Sequence, residues 1–292
     1  MEFLPPTPSF RRALARHFLS ASRAREFVFK IKLWYKFLTS NMAISHKNLA
    51  QIQKHDFTKE LKDFEYETKF DIRGSKLGSL GVLKKIRGCF KNNQRFILCK
   101  VKGGDKLLTR VFFFFGDKTE YSLFLYRGVR MVKVKRHRII SGTPFRIFKN
   151  DEQLVIDKDD FSKKLNRLQH RFKRHNYRLV NLDNFLKEKS SLIDVGEMVK
   201  NRVKDFVFDS RDGRIYAVAV TFCESKNKVQ KQLEIEYAGY LPGFKKKKLG
   251  IEKQVIAGVQ ELSQYIYKHF PKMLKPSIER KFEFVKMASD KI

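Results

Sequence analysis

From residue 64 onward, apolar and polar positions alternate along much of the chain. Segments 64–72, 95–102, 107–115, 121–126 and 129–135 carry β-branched or aromatic residues with frequent period-2 alternation, which predicts strands with two distinct faces. Gly103-Gly104-Asp105 and Gly116-Asp117 punctuate them as turns. The period then changes. Phe161, Leu165, Leu168 and Phe172 recur at helical spacing behind Asp159-Asp160, which predicts a helix over 159–174. Strand patterns return at 200–208, 214–224 and 230–237, with Asp212-Gly213 as a hairpin signal between the first two. A last helix is predicted over 251–269, with the stripe Ile251, Val255, Val259, Leu262 and Ile266 and with Pro271 beyond its end. No internal repeat is present.

The polar faces of these strands carry charge. In a strand, residues i, i+2 and i+4 share a face. Glu65, Glu67 and Lys69 therefore point one way, and Phe64, Tyr66, Thr68 and Phe70 the other. Glu234 and Glu236 share a face opposite Leu233, Ile235 and Tyr237. Lys133 and Lys135 alternate with Val132 and Val134, Lys100 and Lys102 flank Val101, and Lys200, Arg202 and Lys204 sit around Val203. Any one such strand fits an ordinary antiparallel sheet with a wet face. The set suggests more, because a closed barrel with a polar interior would bring these faces together. Tyr66 and Tyr237 are then expected on the barrel exterior, under helices.

Composition narrows the partners. The 292 residues include 63 Lys+Arg against 31 Asp+Glu, a formal charge of +32, so the chain should attract polyanions such as nucleic acid, polyphosphate or nucleotides, or an anionic membrane. With 42% hydrophobic residues and 28 Phe there is ample material for a core. Cys89, Cys99 and Cys223 form neither a zinc pattern nor a disulfide framework, which fits a reducing compartment. No apolar run approaches the roughly 18 residues that cross a bilayer, so a soluble, cytoplasmic chain is expected. Residues 1–41 stand apart, with five Arg, two acids and much Ser and Ala. They read as a basic, transit-like segment, which would make the protein organellar, or as an upstream extension before a start at Met42-Ala43-Ile44-Ser45. The expected organisation is this non-core segment followed by one domain over 42–292. The basic run Lys245–Lys248 reads as a solvated loop. The seven His residues form no metal-spaced pair, and neither a Walker A loop nor a GxGxxG is present.

Four carboxylates of similar reach in one interior offer hard oxygen ligands, which suit Mg²⁺ or Mn²⁺. Cations on the remaining strands would clamp a multiply charged phosphate chain, the arrangement that phosphoryl transfer needs. These residues resemble the CYTH family, the triphosphate tunnel metalloenzymes. Its ExExK signature is matched by Glu65, Glu67 and Lys69, and its late ExE pair by Glu234 and Glu236. Its paired basic residues resemble Lys133 and Lys135, and its K-x-R strand resembles Lys200-Asn201-Arg202. Its C-terminal helix and the segment after it resemble 251–269 and 276–284. The resemblance covers roughly residues 60–286.

It implies an α+β fold, an eight-stranded antiparallel β-barrel open as a tunnel, with a polar interior and flanking helices. It also implies metal ligands Glu65, Glu67, Glu234 and Glu236, phosphate contacts Lys69, Lys133, Lys135 and Arg202, and catalysis centred on Glu65, Glu67, Lys69 and Glu236. The chain departs from the pattern at three places. The strand before the ExE pair offers no acid at 217–222, so Thr221 or Glu224 would substitute. Residues 157–196 read as a helical insertion. The family's basic residue on the fourth strand has only Arg146 or Lys149 as candidates.

The expected function is metal-dependent hydrolysis of a triphosphate: tripolyphosphate, thiamine triphosphate or a nucleoside triphosphate. One alternative is a non-catalytic RNA- or polyphosphate-binding module, and a second is an adenylate cyclase of the CYTH type. A third reading leaves the acidic pairs as surface ion pairs with Lys and Arg.

Overall fold

The computed structural model describes residues 44–101, 106–141, 145–162, 172, 175–189, 191–241 and 251–289. The described residues fall in one compact unit, Ile44–Ile292. The segment 1–41, Lys102, the Gly103-Gly104-Asp105 turn, most of the helix expected over 159–174 and the run Lys245–Lys248 lie outside the described residues.

The strands are β1 (Phe64–Ile72), β2 (Phe96–Cys99), β3 (Leu107–Gly116), β4 (Thr119–Tyr126), β5 (Val129–Ser141), β6 (Ile147–Asp157), β7 (Tyr177–Val180), β8 (Ile193–Asp209), β9 (Arg214–Ser225), β10 (Lys228–Tyr240) and β11 (Leu274–Ser277). The described helices are α1 (His46–Gln53), α2 (Ser79–Arg87), α3 (Lys158–Ser162), α4 (Leu182–Lys187), α5 (Ile251–His269) and α6 (Lys281–Ser289). Eight strands pair in the order β1-β10-β9-β8-β3-β4-β5-β6, and β6 pairs again with β1. That last pairing closes a ring that is antiparallel throughout. The expected closed eight-stranded antiparallel barrel is therefore the fold of this chain. Outside the ring, β2 pairs with β8, β11 with β1, and β7 runs parallel to β6.

Local chemistry explains the tight corners. Asp117 and Lys118 have φ of 51° and 56°, between the paired residues Gly116 and Thr119. Arg127 and Gly128 have φ of 52° and 79°, between Tyr126 and Val129. Two left-handed residues in a two-residue loop match the right-handed twist of the strands they join.

Outside the barrel, α5 covers β1 and β10. Val255, Val259, Leu262 and Ile266 are buried against Tyr66, Phe70, Leu233, Ile235 and Tyr237. Each fully buried aliphatic side chain contributes about 1.5–3 kcal/mol. Tyr66 donates to Glu252 at 2.8 Å, and the Tyr237 hydroxyl contacts Glu60. Gly258 lets the helix approach closely, since a Cβ there would lie 1.8 Å from the Tyr216 hydroxyl. With the apolar faces of β1 and β10 turned outward to α5, their acidic faces turn inward.

Several expectations change. No strand was anticipated at 147–157, yet β6 is the strand that closes the ring. It lacks the alternation that marks β1 because its outward face is polar as well: Asn150 and Glu152 face the interior, while Lys149 and Asp151 pair outside with Glu252 and Arg138. β5 extends to Ser141, beyond the expected 135. The 95–102 strand is only Phe96–Cys99, and it lies off the ring. The region 157–196 is not purely helical, because it contains β7 and the start of β8.

Candidate active site

All eight residues singled out from the sequence line one cavity of about 320 Å³ inside the barrel: Glu65, Glu67, Lys69, Lys133, Lys135, Arg202, Glu234 and Glu236. The reading of the acidic pairs as surface ion pairs is thereby overturned, since Glu65, Glu67 and Glu234 are each no more than 5% exposed.

Strand register places them. On neighbouring strands β1 and β10, Glu67 stands directly opposite Glu236, and Lys69 opposite Glu234. This is the acid wall. On one side, beyond β9, β8 presents Lys200, Arg202 and Lys204. On the other side, beyond β6, β5 presents Lys133 and Lys135. Evenly spaced charges on four strands thus become three charged walls, because closure turns all of these faces to one axis.

Each carboxylate of the acid wall already meets a cation. Lys69 Nζ lies 3.2 Å from Glu67, and Arg202 lies 3.2 Å from Glu236. Glu65 meets Lys133 at 3.4 Å and also contacts Lys135. Glu234 contacts Lys281 and accepts from Thr221 at 3.0 Å. Burial alone would raise the carboxyl pKa values. The ammonium groups of Lys133 and Lys135 instead hold Glu65 well below the ordinary range. For Glu67, burial is likewise outweighed by Lys69, and the value falls to about 2. These groups are anions at neutral pH. Across β8, burial and the neighbouring Arg202 push the Lys200 ammonium down to about 7. Lys281 touches Glu234, yet burial beside Lys200 and Lys69 pulls its pKa well down. Eleven Lys and Arg side chains line the cavity against six Glu.

The structure adds residues that the sequence did not disclose. Glu152 on β6 lies 2.6 Å from Lys133 and 3.4 Å from Lys135. Glu120 on β4 faces inward opposite Lys135. Asn150 is fully buried and donates to Glu65 at 3.1 Å and Glu67 at 3.0 Å. His137 bridges Asn150 and Glu120. Arg280 and Lys281 enter the cavity from the start of α6, where Arg280 lies 2.5 Å from Glu120. A signal for His137 did exist, since Lys133, Lys135 and His137 share one face of β5. Arg280 and Lys281 lie outside any strand, and their one signal was that they fall within 276–284, the segment matched to the family's segment after the last helix.

Three expectations fail here. Arg146 is exposed, and Lys149 lies outside the barrel, 2.7 Å from Glu252 and over the Phe64 ring, so neither is the fourth-strand cation. Glu224 is exposed and cannot supply the acid missing from β9. Thr221 faces inward but binds Glu234 rather than replacing a carboxylate.

In kind and in register the donor set suits a hard divalent ion. The oxygens are carboxylate, Glu67 and Glu236 are cross-strand partners, and the wall already attracts a cation at every acid. Among the described residues, no three His, Cys, Asp or Glu side chains stand ready-grouped around a metal position. An ion would have to replace the ammonium and guanidinium groups on Glu67 and Glu236. No helix among the described residues is long and apolar enough to cross a membrane.

No protein-family model and no curated protein sequence matches the chain. Solved structures with a similar course include a proposed adenylyl cyclase from Hippeastrum with a dominant triphosphatase activity, at 10% identity and TM-score 0.44, covering 78% of this chain and 97% of that one. A proposed adenylate cyclase from Bacillus halodurans aligns at 14% identity and TM-score 0.39, covering 75% and 95%. An RNA triphosphatase from S. pombe aligns at 10% identity and TM-score 0.31, covering 99% and 94%. Likeness this distant carries no functional argument by itself.

Proposed function

We propose that the chain is a divalent-metal-dependent phosphohydrolase of the triphosphate tunnel type, acting on tripolyphosphate, thiamine triphosphate or a nucleoside triphosphate. One observation carries the reading: inside a single barrel, an acid wall on β1 and β10 is flanked by cationic strands β5 and β8. Carboxylates repel phosphate unless a cation intervenes, so a wall of acids within an anion-attracting cavity calls for a metal.

Glu65, Glu67, Glu234 and Glu236 would hold Mg²⁺ or Mn²⁺. A bound ion would neutralise charge on the phosphates and ease deprotonation of water. Lys69, Lys133, Lys135 and Arg202 would bind phosphate oxygens. The ion pairs of the free protein suit this exchange, because each cation displaced from a carboxylate lies within the cavity where the phosphates would sit. Glu65, Glu67 and Glu236 would place the ion, and Lys69 would hold the phosphate beside it.

A substrate panel tests the reading. Tripolyphosphate, thiamine triphosphate, ATP and 5′-triphosphate RNA are each supplied with Mg²⁺ or Mn²⁺, with EDTA as the control and cyclic AMP assayed alongside. Metal-dependent phosphate release from at least one is expected. Metal-independent binding with no turnover of any would instead support a non-catalytic polyanion-binding module. That second reading is favoured by the absence of an inward acid on β9. Cyclic AMP as the main product would identify a cyclase.

Lys200 adds a pH dependence. Its folded pKa of about 7 lies below the ordinary lysine value of 10.5. Between those values the folded chain holds fewer protons than the unfolded one, so this group's contribution to stability rises with pH. A polyanion reverses the preference by favouring the ammonium form. Tripolyphosphate binding near pH 8 should therefore take up proton at Lys200. Calorimetry in two buffers of different ionisation enthalpy should show greater uptake in the wild type than in Lys200→Met. Equal uptake in both would remove Lys200 from the anion site.

A further inference from the structure

Beside the acid wall, along the inner faces of β6, β5 and β4, lies a chain of contacts that the proposed chemistry does not use. Asn150 on β6 is fully buried and stands opposite Glu65 in the β1–β6 register. Its Nδ2 donates to Glu65 Oε2 at 3.1 Å and to Glu67 Oε1 at 3.0 Å. Its Oδ1 lies 2.5 Å from His137 Nδ1. His137 Nε2 lies 2.6 Å from Glu120 Oε2, and Glu120 Oε1 accepts from Arg280 at 2.5 Å.

The partners decide the amide's orientation. An asparagine has a donor end and an acceptor end. Turned the other way, Oδ1 would face two carboxylates, with no proton for either. With Nδ2 on the carboxylates, Oδ1 can only accept, so His137 Nδ1 donates to it. The His137 ring is held in turn by Glu120, which Arg280 anchors. Each link fixes the one before it, and the series ends on the two carboxylates of the ExExK strand.

We infer that Asn150 is the positioning residue of the acid wall: backed by His137 and Glu120, it sets where the Glu65 and Glu67 carboxylates stand, and so how tightly they hold a divalent cation. The inference rests on the metal-binding reading proposed above. One amide spanning both acids fixes their separation. Each oxygen it meets also meets a lysine, Lys135 on Glu65 Oε2 and Lys69 on Glu67 Oε1, so the amide is the neutral donor that can stay when a metal displaces those cations. Side chains that orient metal ligands typically change affinity or activity about 10- to 100-fold when removed.

The test measures Mn²⁺ binding by titration calorimetry on the full chain, with no triphosphate present, in the wild type, Glu67→Gln, Asn150→Leu, His137→Ala and His137→Asn. Asn150→Leu should weaken Mn²⁺ at least about tenfold. His137→Ala should weaken it less, and His137→Asn should recover most of the loss, because its amide can donate from near the Nδ1 position. A purely structural role would give no such recovery. With an active substrate, kcat should fall while KM for the triphosphate stays within about twofold, since the lysines of β5 and Arg202 keep their places. If Asn150→Leu does not fold, the two His137 variants decide the question. A wild type that binds Mn²⁺ with Asn150→Leu or His137→Ala binding it equally well overturns the positioning role alone. A wild type that binds no Mn²⁺ overturns the metal reading and this inference with it.

Discussion

Glu67→Gln and Glu236→Gln are each expected to cut metal-dependent phosphate release by at least about 100-fold, at the upper end of what even indirect disturbance of metal ligands produces. Glu67 and Glu236 are direct cross-strand partners at the centre of the acid wall. Glutamine keeps the volume and one oxygen but removes the charge that a hard cation requires. The fold should survive, because the apolar faces of β1 and β10 against α5 are untouched. Circular dichroism should match the wild type, and Mn²⁺ binding should weaken in parallel with turnover. Glu224→Gln is the control, since Glu224 is exposed on β9 and should behave as the wild type. Near-wild-type release from both Glu67→Gln and Glu236→Gln would end the assignment of these residues.

A loss of about 3–5 kcal/mol in stability is expected from Asp205→Ala, the range for removing one partner of a buried ion pair. Asp205 is fully buried on the outer face of β8, beneath α2. It accepts from Arg87 Nε at 2.6 Å and Nη2 at 3.2 Å, and from the backbone N–H of Val101 at 2.9 Å. Alanine would leave that N–H and a largely buried guanidinium without their acceptor. The urea midpoint should fall with little change in slope. The double variant Asp205→Leu, Arg87→Met should regain much of the loss, because it removes both charges and fills the space. A drop below about 1 kcal/mol would place this pair among weak surface ion pairs.

Legibility followed the period of each strand. In Phe64–Phe70 of β1, with Thr68 the one exception, and in Leu233–Tyr237 of β10, aromatic and aliphatic residues alternate with charge, so the two faces could be separated from the residues themselves. The amphipathic stripe of α5 was equally plain, and its bounds agree with the structure. β6 was not legible, because Lys149, Asn150, Asp151, Glu152 and Gln153 read as one polar run. Glu120 escaped notice because the strand expected at 121–126 begins one residue after it, whereas β4 starts at Thr119. Asn150 and His137 escaped as potential partners because they come from different strands, and their contact exists only where β5 pairs with β6.

The sequence by itself determined which face of β1, β5, β8 and β10 is charged, since a period of two is a local property of the chain. It also determined the strong excess of positive charge that favours an anionic partner. Only the tertiary structure decided which walls stand together. Glu67 reaches Glu236, and Lys133 reaches Glu65, through pairings between distant segments and the closure of β6 on β1. It also decided that Glu224, Arg146 and Lys149 stand outside the cavity while Glu120, Glu152, Arg280 and Lys281 line it. The physical reason is that alternation tells a side chain which face of its strand it occupies. Ring closure, which no single strand encodes, tells that face whether it meets water or the opposite wall.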